Sequence, residues 1–302
     1  MAHIARSTSA EEVLVLVAQN LKRLDPIHCT ASLHALAKHG PLKDDRLARR
    51  SLTALLLRQE DFAKRKCLDG RQLSNTLWAV ARLRQPVLEA VPNLANEVAF
   101  QLASKAQQLN HQDVSNGLWA MAALDADLED QVDVMPRLAS RAASTPDGFK
   151  AQELANSIWA LATCGSGRAS RIAQKLTAYC VSRIPELETI QLAAVIWAVA
   201  AAGLDGPILK SSRPRLGQSL MPALAAAVWP RLSEFGPQEV ANVSWALAVE
   251  TMVVDPLLRG SLALQVQRCA CEFDRKELVN SLWAFAVFGS CELRSTNQRR
   301  PC

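Results

Sequence analysis

The recurring polar residues of this 302-residue chain are suited to holding a ligand by hydrogen bonds. A nine-residue stretch, Leu73 to Ala81, ends in Trp-Ala-x-Ala and is repeated five more times. Asparagine lies three residues before the tryptophan in five of the six copies, and a variable, mostly polar residue lies seven before it. Amides donate and accept hydrogen bonds, and guanidinium and ammonium groups donate them. The candidate ligand-contacting residues are Arg71, Asn75, Gln112, Asn116, Gln152, Asn156, Gln238, Asn242, Lys276 and Asn280.

Both positions also allow a structural interpretation. Asparagine is a mediocre helix former, so its return at one helical position requires a reason. Its amide could satisfy backbone groups of the adjoining unit, or it could read a ligand. The variable residues could each contact one nucleotide, or they could vary because they are solvated. The fourth copy departs from the pattern, with Ala194 in place of asparagine and Ile190 in place of the polar residue.

The sequence contains no recognisable catalytic constellation. All five histidines lie at or before residue 111. There is no phosphate-binding loop ending in Gly-Lys-Ser/Thr, no nucleophile elbow and no cluster with metal-ligand spacing. The eight cysteines are scattered, and Cys269 and Cys271 are too close for a Cys-x-x-Cys motif. We therefore predict a protein that is not an enzyme and that uses no cofactor and no metal.

The spacing of the motif tryptophans predicts the fold. Consecutive copies lie 38 to 48 residues apart, a period typical of stacked helical repeats. A weaker copy at Cys29 to Ala37 carries His34 in the tryptophan position. The pattern predicts an all-α fold, namely a right-handed α-solenoid of about six to seven helix-turn-helix repeats of ~38–48 residues. The motif tryptophans are Trp78, Trp119, Trp159, Trp197, Trp245 and Trp283.

Each unit is predicted to begin with a helix that carries the motif. The start signals are capping residues at Asp69, Asn110, Asp274 and Gly236, with poorer caps at Lys150 and Glu188. The motif helix is apolar nearly all round, so neighbouring units must cover both of its flanks. An amphipathic second helix is predicted to follow, as from Arg168 to Ile184 and, with an interruption at Pro92, from Val87 to Leu109.

The tryptophans allow two roles. They could form a stacking ladder for bases, a contact that contributes about 1–3 kcal/mol per base. They could instead be core residues that pack between adjoining units, because their neighbours Leu77 and Ala81 are typical of a core. We favour the second role and predict that all six are structural core, with His34 as a core substitution.

Composition is ordinary for a folded protein, at 49% hydrophobic and 21% charged residues. The net charge of +5 permits a nucleic-acid partner without requiring one. The longest apolar run, Leu192 to Leu204, is shorter than the roughly 18 residues that a membrane span needs. The first ten residues, with Arg6 and no acidic residue, resemble the end of an organelle transit peptide.

The chain is predicted to divide into an N-terminal segment with a capping helix (1–24), a repeat array (25–289) and a disordered basic tail (290–302). Residues 43–71 form the most basic segment of the chain. A solvated helix face followed by a loop would have the same composition. A basic loop insertion is predicted near 205–217, with Lys210, Arg213 and Arg215. The last unit lacks a second helix, which would expose Leu278, Leu282 and Phe285. We expect either that the chain is a fragment or that a protein partner covers this end.

The stretch Gln152 to Ala162 and the other copies of the motif resemble a known class of repeat. The Leu-x-Asn-x-x-Trp-Ala-x-Ala pattern is similar to that of octotricopeptide-type helical repeat proteins and of the FAST-kinase-like, RAP-domain-associated organelle proteins, over roughly residues 25–289. The resemblance implies an α-solenoid that binds single-stranded RNA. It also implies a place in the mitochondrion or plastid, in RNA processing, stability or translation.

The alternative is an armadillo- or HEAT-like scaffold for protein–protein interaction. Armadillo units share the period of about 40 residues and also use tryptophan and asparagine in a groove helix. Those motifs place asparagine after tryptophan, whereas here it comes before. An extended peptide would then be the ligand in place of RNA.

Overall fold

The computed structural model describes residues 4, 6–40, 46–124, 133–165, 167–204, 220–250 and 255–298. All regular secondary structure in these residues is helical, which confirms the predicted all-α class. The chain divides into two units, Met1–Thr145 and Pro146–Cys302. The basic insertion predicted near 205–217 lies outside the described residues.

The first unit is built from helices of 6 to 19 residues. In order they are α1 (Ala10–Asn20), α2 (Pro26–His39), α3 (Arg46–Lys64), α4 (Gly70–Leu83), α5 (Gln85–Ala90), α6 (Leu94–Ser104), α7 (His111–Leu124) and α8 (Val134–Ser144). Helices α2, α4 and α7 carry the repeated motif and are called motif helices below. The predicted interruption at Pro92 is confirmed, since α5 ends before it and α6 begins after it.

The motif helices of the first unit pack against one another in chain order, α2 on α4 and α4 on α7. The second helices do the same, with α6 contacting both α3 and α8. Helix α1 packs on α2 and α3, in the place where a capping helix was predicted. Leu73 and Leu77 of α4 have no exposed surface, because neighbouring helices cover both flanks of this apolar helix.

The second unit repeats this arrangement. Its described helices are α9 (Ala151–Thr163), α10 (Gly167–Cys180), α11 (Thr189–Ala201), α12 (Leu220–Val228), α13 (Pro237–Val249), α14 (Pro256–Cys269) and α15 (Arg275–Gln298). The motif helices α9, α11, α13 and α15 again pack in chain order. Helix α10 passes into a 3-10 segment at Val181, earlier than the predicted end at Ile184, because Pro185 cannot donate an α-helical hydrogen bond.

Hydrogen bonds between a cap residue and the residue three positions later stabilise the first turn of the motif helices. The Asp69 carboxylate accepts a hydrogen bond from the Gln72 amide N–H at 2.8 Å, and the Gln72 side-chain oxygen accepts one from the Asp69 N–H at 3.0 Å. At the poor cap Lys150, the Glu153 carboxylate accepts a hydrogen bond from the Lys150 backbone N–H at 2.9 Å. The same bond back to the cap occurs at Glu188 and Asp274. An acidic or amide residue at the third helical position therefore starts a helix even where the cap itself is weak.

Glycine ends several motif helices six residues after the tryptophan. Gly165 and Gly203 have φ of +62° and +59°, a left-handed conformation that terminates a helix at little cost. Gly289 holds the same position in the last copy, but α15 continues through it to Gln298. The predicted helix end near Gly289 is therefore wrong. The predicted disorder of the tail, residues 290–302, stays a prediction. No proline occurs there before Pro301 to stop the helix.

Candidate nucleic-acid interface

One face of each motif helix carries the tryptophan together with the residues seven and three positions before it and four after it. These offsets follow the 3.6-residue turn, so the four side chains lie along one side of the helix. In α4 the set is Arg71, Asn75, Trp78 and Arg82, and we call these four positions the recognition stripe. Arg71 and Arg82 are exposed, and Asn75 and Trp78 are half-buried.

The structure places every predicted ligand-contacting residue on this stripe. The variable residues are exposed, namely Arg71, Gln112, Gln152, Gln238 and Lys276. The asparagines are half-buried, namely Asn75, Asn116, Asn156, Asn242 and Asn280. In α11 the same two positions hold Ile190, which is 65% exposed, and Ala194, which is half-buried. The stripe is therefore accessible in all six motif copies.

Indoles of consecutive motif helices lie side by side. The ring centroids of Trp78 and Trp119 are 6.3 Å apart with 40° between the ring planes. Those of Trp197 and Trp245 are also 6.3 Å apart, with 30° between the planes. The His34 imidazole extends the first row, 4.9 Å from Trp78. Each row combines contact between neighbouring units with an outer edge that a ligand could reach.

The tryptophans differ from the enclosed core residues that the sequence analysis favoured. The half-buried indoles are those of Trp78, Trp119, Trp159, Trp197 and Trp245. Trp283 is 44% exposed. The residues on either side, such as Leu77 and Ala79, have no exposed surface. An indole is larger than these side chains, so it packs along one edge while the other edge reaches the surface.

Two of the asparagines are linked to each other. Asn116 Nδ2 donates a hydrogen bond to Asn75 Oδ1 at 3.4 Å, a long distance for such a bond. This contact joins two motif helices by side chains alone, whereas the structural interpretation expected the amides to satisfy backbone groups. It leaves Asn75 Nδ2 and Asn116 Oδ1 with the capacity for further bonds.

A buried polar layer lies beneath the stripe of the first unit. Ser74 Oγ donates a hydrogen bond to Asp113 Oδ1 at 2.9 Å, which joins α4 to α7. Burial raises the pKa of Asp113, and the bond from Ser74 lowers it by less. Gln59 Nε2 reaches Thr30 Oγ1 at 2.9 Å and Thr76 Oγ1 at 2.8 Å. These bonds fix the spacing of the motif helices and so the spacing of the residues on the stripe.

Positive charge collects on the stripe of the first unit. The Arg82 guanidinium lies 5.9 Å from the Trp78 ring centroid, within cation–π range. Lys38 takes the same position on α2, four residues after His34. The pKa of His34 is lowered, first by burial and then by the charges of Lys38 and Arg71. The imidazole is therefore neutral at pH 7 and lies among cations.

Many of the basic residues on the second helices, or in the turns and 3-10 segments that follow them, are structural, and the sequence analysis missed this. Their side chains donate hydrogen bonds to backbone carbonyls just before the motif helix of the same hairpin. The bonds are Arg58 to Leu24, Lys105 to Leu68, Arg141 to Leu109, Arg183 to Asp147 and Arg231 to Leu187, at 2.6–3.2 Å. Gln265 does the same to Phe235 at 2.7 Å. We call these bonds the hairpin clamps.

The clamps change the interpretation of the basic segment 43–71. In it, Arg58 is a clamp, and Lys64 and Arg65 form ion pairs with Glu60 and Asp61 at 3.0 and 3.4 Å. A hydrophobic residue, leucine or phenylalanine, recurs ten positions before each motif tryptophan and before His34. Five of the six clamps bond to its carbonyl, and the exception, Arg183, bonds two residues earlier. This residue, at a fixed distance before each tryptophan, was the sequence signal that could have indicated the clamps.

Other chemistry finds little support in the part of the chain that the structure describes. No group of three or more His, Cys, Asp or Glu side chains there could hold a metal ion. Burial raises the pKa of the Cys29 and Cys180 thiols to about 12, so neither is a ready nucleophile. Among the same residues, no helix is both long enough and apolar enough to span a bilayer.

A comparison of the chain with protein-family models gave no match, and a comparison with curated proteins gave no significant match.

Proposed function

We propose that this chain is a non-catalytic helical repeat protein that binds single-stranded RNA along its recognition stripe. The observation that carries the proposal is the accessibility of the same four positions on consecutive motif helices. In each unit of the chain, hairpins stacked in order present these positions as a row. We propose that the rows belong to a right-handed α-solenoid. The resemblance of the motif to octotricopeptide-type repeats supports a role in mitochondrial or plastid RNA processing, stability or translation.

Each class of residue on the stripe has a role in this proposal. The outer edges of the indoles stack with bases, as aromatic side chains do in single-strand-binding proteins. Asparagines and variable polar residues bond to base edges, one unit to about one nucleotide. Lys38, Arg71 and Arg82 neutralise phosphates at the first unit.

The test is a salt-titrated affinity measurement against single-stranded RNA, duplex RNA and single-stranded DNA. Three phosphate contacts predict that the logarithm of the binding constant falls against the logarithm of salt concentration with a slope of about −2 for a single strand. The double variant Arg71→Gln/Arg82→Gln should reduce the size of that slope by about 1.4. The matched control is Arg137→Gln, since Arg137 lies on α8, off the stripe, with its side chain 57% exposed. Equal slopes for the double variant and the control would contradict the proposed contacts.

The second candidate is an armadillo- or HEAT-like scaffold for an extended peptide, and one feature favours it. The stripe of α11 consists of Ile190, Ala194, Trp197 and Ala201, so it offers apolar contact and no charge. Failure to bind any of the three nucleic acids, or binding that does not respond to salt, would place this candidate first.

A further inference from the structure

Helix α2 carries a titratable side chain, His34, in the tryptophan position of its recognition stripe. The other three positions hold Ile27, Ala31 and Lys38. Ile27 is 52% exposed and Ala31 is half-buried, and neither side chain can form a hydrogen bond. The polar groups of this stripe are therefore the imidazole and an exposed ammonium. An ammonium and a protonated imidazole only donate hydrogen bonds, so together they suit a phosphate.

The imidazole lies among cations of two helices. Its ring centroid is 4.9 Å from that of Trp78, so it faces the stripe of α4. After burial, the charges that lower the pKa of His34 are those of Lys38 on its own helix and Arg71 on α4. Arg82 lies beside the same Trp78 ring. The three cations are exposed, so a phosphate that binds between them from solvent would lie close to the imidazole.

Two carboxylates lie near Arg71. Asp69 caps α4, and Asp113 is buried on α7. The charge of Arg71 lowers the pKa of Asp113, although burial raises it by more. Neither carboxylate is among the charges that shift the pKa of His34. The described charges that act on the imidazole are therefore positive.

Helices α1 and α3 also pack against α2, and their charges act elsewhere. Glu11 lines the groove between α1 and α3, and Glu12 accepts a hydrogen bond from the backbone just before α1. From α3, Arg58 acts on Cys29, near the start of α2. The charges that shift the pKa of His34 also do not include the exposed arginines at the start of α3, namely Arg46, Arg49 and Arg50.

We propose that His34 is a further RNA-contacting residue, which takes up a proton when a phosphate of the strand binds beside Lys38 and Arg71. The proposal rests on the RNA binding proposed above for the same stripe. A phosphate brings negative charge next to the imidazole, and this favours the protonated form. The imidazolium then donates a hydrogen bond to a phosphate oxygen. The proton comes from solvent and returns to it when the strand dissociates.

This linkage fixes the direction of the pH dependence. In the free chain the pKa of His34 is lowered from its ordinary value of 6.5, and in the complex the phosphate raises it. The affinity for RNA is therefore lowest above the pKa of the complex, rises as the pH falls, and is constant below the pKa of the free chain. Each unit by which the two pKa values differ corresponds to about a tenfold change in affinity.

The test uses the full chain and an oligouridylate with hydroxyl ends. Its phosphodiesters keep the same charge over the range in which histidine titrates, about pH 5 to 8. Affinity is measured across that range at one salt concentration, because salt alone alters binding to phosphates. His34→Trp restores the motif residue and cannot take up a proton in this range. His34→Phe is the second variant, and thermal melts establish that each variant is folded.

Two controls separate His34 from other titratable groups. His39→Gln is the matched control, because His39 is exposed on the same helix but lies off the stripe. Asp113→Asn removes the other group near Arg71 whose pKa is shifted. NMR of the imidazole protons, with and without the oligouridylate, measures the pKa of His34 in both states.

We expect the affinity of the wild type to rise about tenfold as the pH falls across the range. His39→Gln and Asp113→Asn should keep that rise, whereas His34→Trp should change by less than about twofold. The pKa of His34 should be higher with the oligouridylate than without it, by an amount that accounts for the change in affinity.

Three results would overturn the proposal while leaving the stripe as an RNA interface. They are an affinity that is the same at every pH, an equal pH response in His34→Trp, and loss of the response in Asp113→Asn, which would assign the proton to that carboxylate. Absence of RNA binding at every pH would overturn both this proposal and the function on which it rests.

Discussion

The side chains of Asn75 and Asn116, which are 41 residues apart in the chain, meet with 3.4 Å between Asn116 Nδ2 and Asn75 Oδ1. The contact crosses from α4 to α7 on the accessible face of both helices. Since each amide has a donor or acceptor to spare, it can help to hold the helices together and also bond to a ligand.

Substitution of both asparagines separates these two roles. Asn75→Ala and Asn116→Ala should each lower the free energy of unfolding by about 1 kcal/mol or less, because the bond is long and partly solvated. Each should also weaken binding to single-stranded RNA by about 1 kcal/mol or more. Urea unfolding of the two single variants and the double variant gives the coupling between the residues. Unchanged RNA affinity with a clear coupling would make the pair purely structural.

Two partly exposed tryptophans test the indole row. Trp245→Ala should weaken RNA binding by about 1–3 kcal/mol, because it removes one stacking surface. Trp229 is 40% exposed but lies in a 3-10 segment outside the stripe. Trp229→Ala should therefore leave RNA affinity within the error of a fluorescence-anisotropy titration. If both variants lose affinity equally, the loss comes from general destabilisation.

The hairpin clamps predict which arginine of α8 contributes to stability. Arg141 donates two hydrogen bonds to the Leu109 carbonyl, at 3.2 and 3.1 Å. Arg141→Ala should cost about 1.5–3 kcal/mol of unfolding free energy, since it removes charged donors from a half-buried acceptor. Arg137 in the same helix forms only an exposed ion pair, so Arg137→Ala should cost about 0.5 kcal/mol or less. Chemical denaturation compares the two, and equal costs would show that the clamp contributes nothing.

Asp113 predicts how stability depends on pH. Its pKa is raised from 3.8 in the folded chain, mainly by burial, so the folded state holds this proton more tightly than the unfolded state does. The stabilising contribution is complete below pH 3.8 and is lost as the pH rises through the folded pKa. Asp113→Asn keeps the acceptor for Ser74 without the buried charge. Above that pKa, the free energy of unfolding of the variant should rise relative to that of the wild type, as urea unfolding at a series of pH values will show. A constant difference across the series would contradict the assignment.

Local signals determined much of the fold from the sequence alone. The capping pair at Asp69 and Gln72, the Gly236–Pro237 start and the interruption at Pro92 act within a few residues of backbone. Their effects follow from hydrogen bonding and dihedral limits that are the same in any tertiary setting. The period of the tryptophans then predicted helical hairpins. It also indicated the asparagines and variable residues as one set, because helical spacing alone puts them on one face.

The tertiary structure decided which sides of those helices are covered. Spacing could not show that Trp78 keeps an exposed edge while Leu77 beside it has none, because that depends on how closely α2 and α7 approach α4. Nor could it show that Arg141 reaches the Leu109 carbonyl, since a charged residue on an amphipathic helix follows the same pattern whether it bonds to backbone or to water. Burial and long-range hydrogen bonds depend on the positions of distant segments, which helix periodicity does not encode.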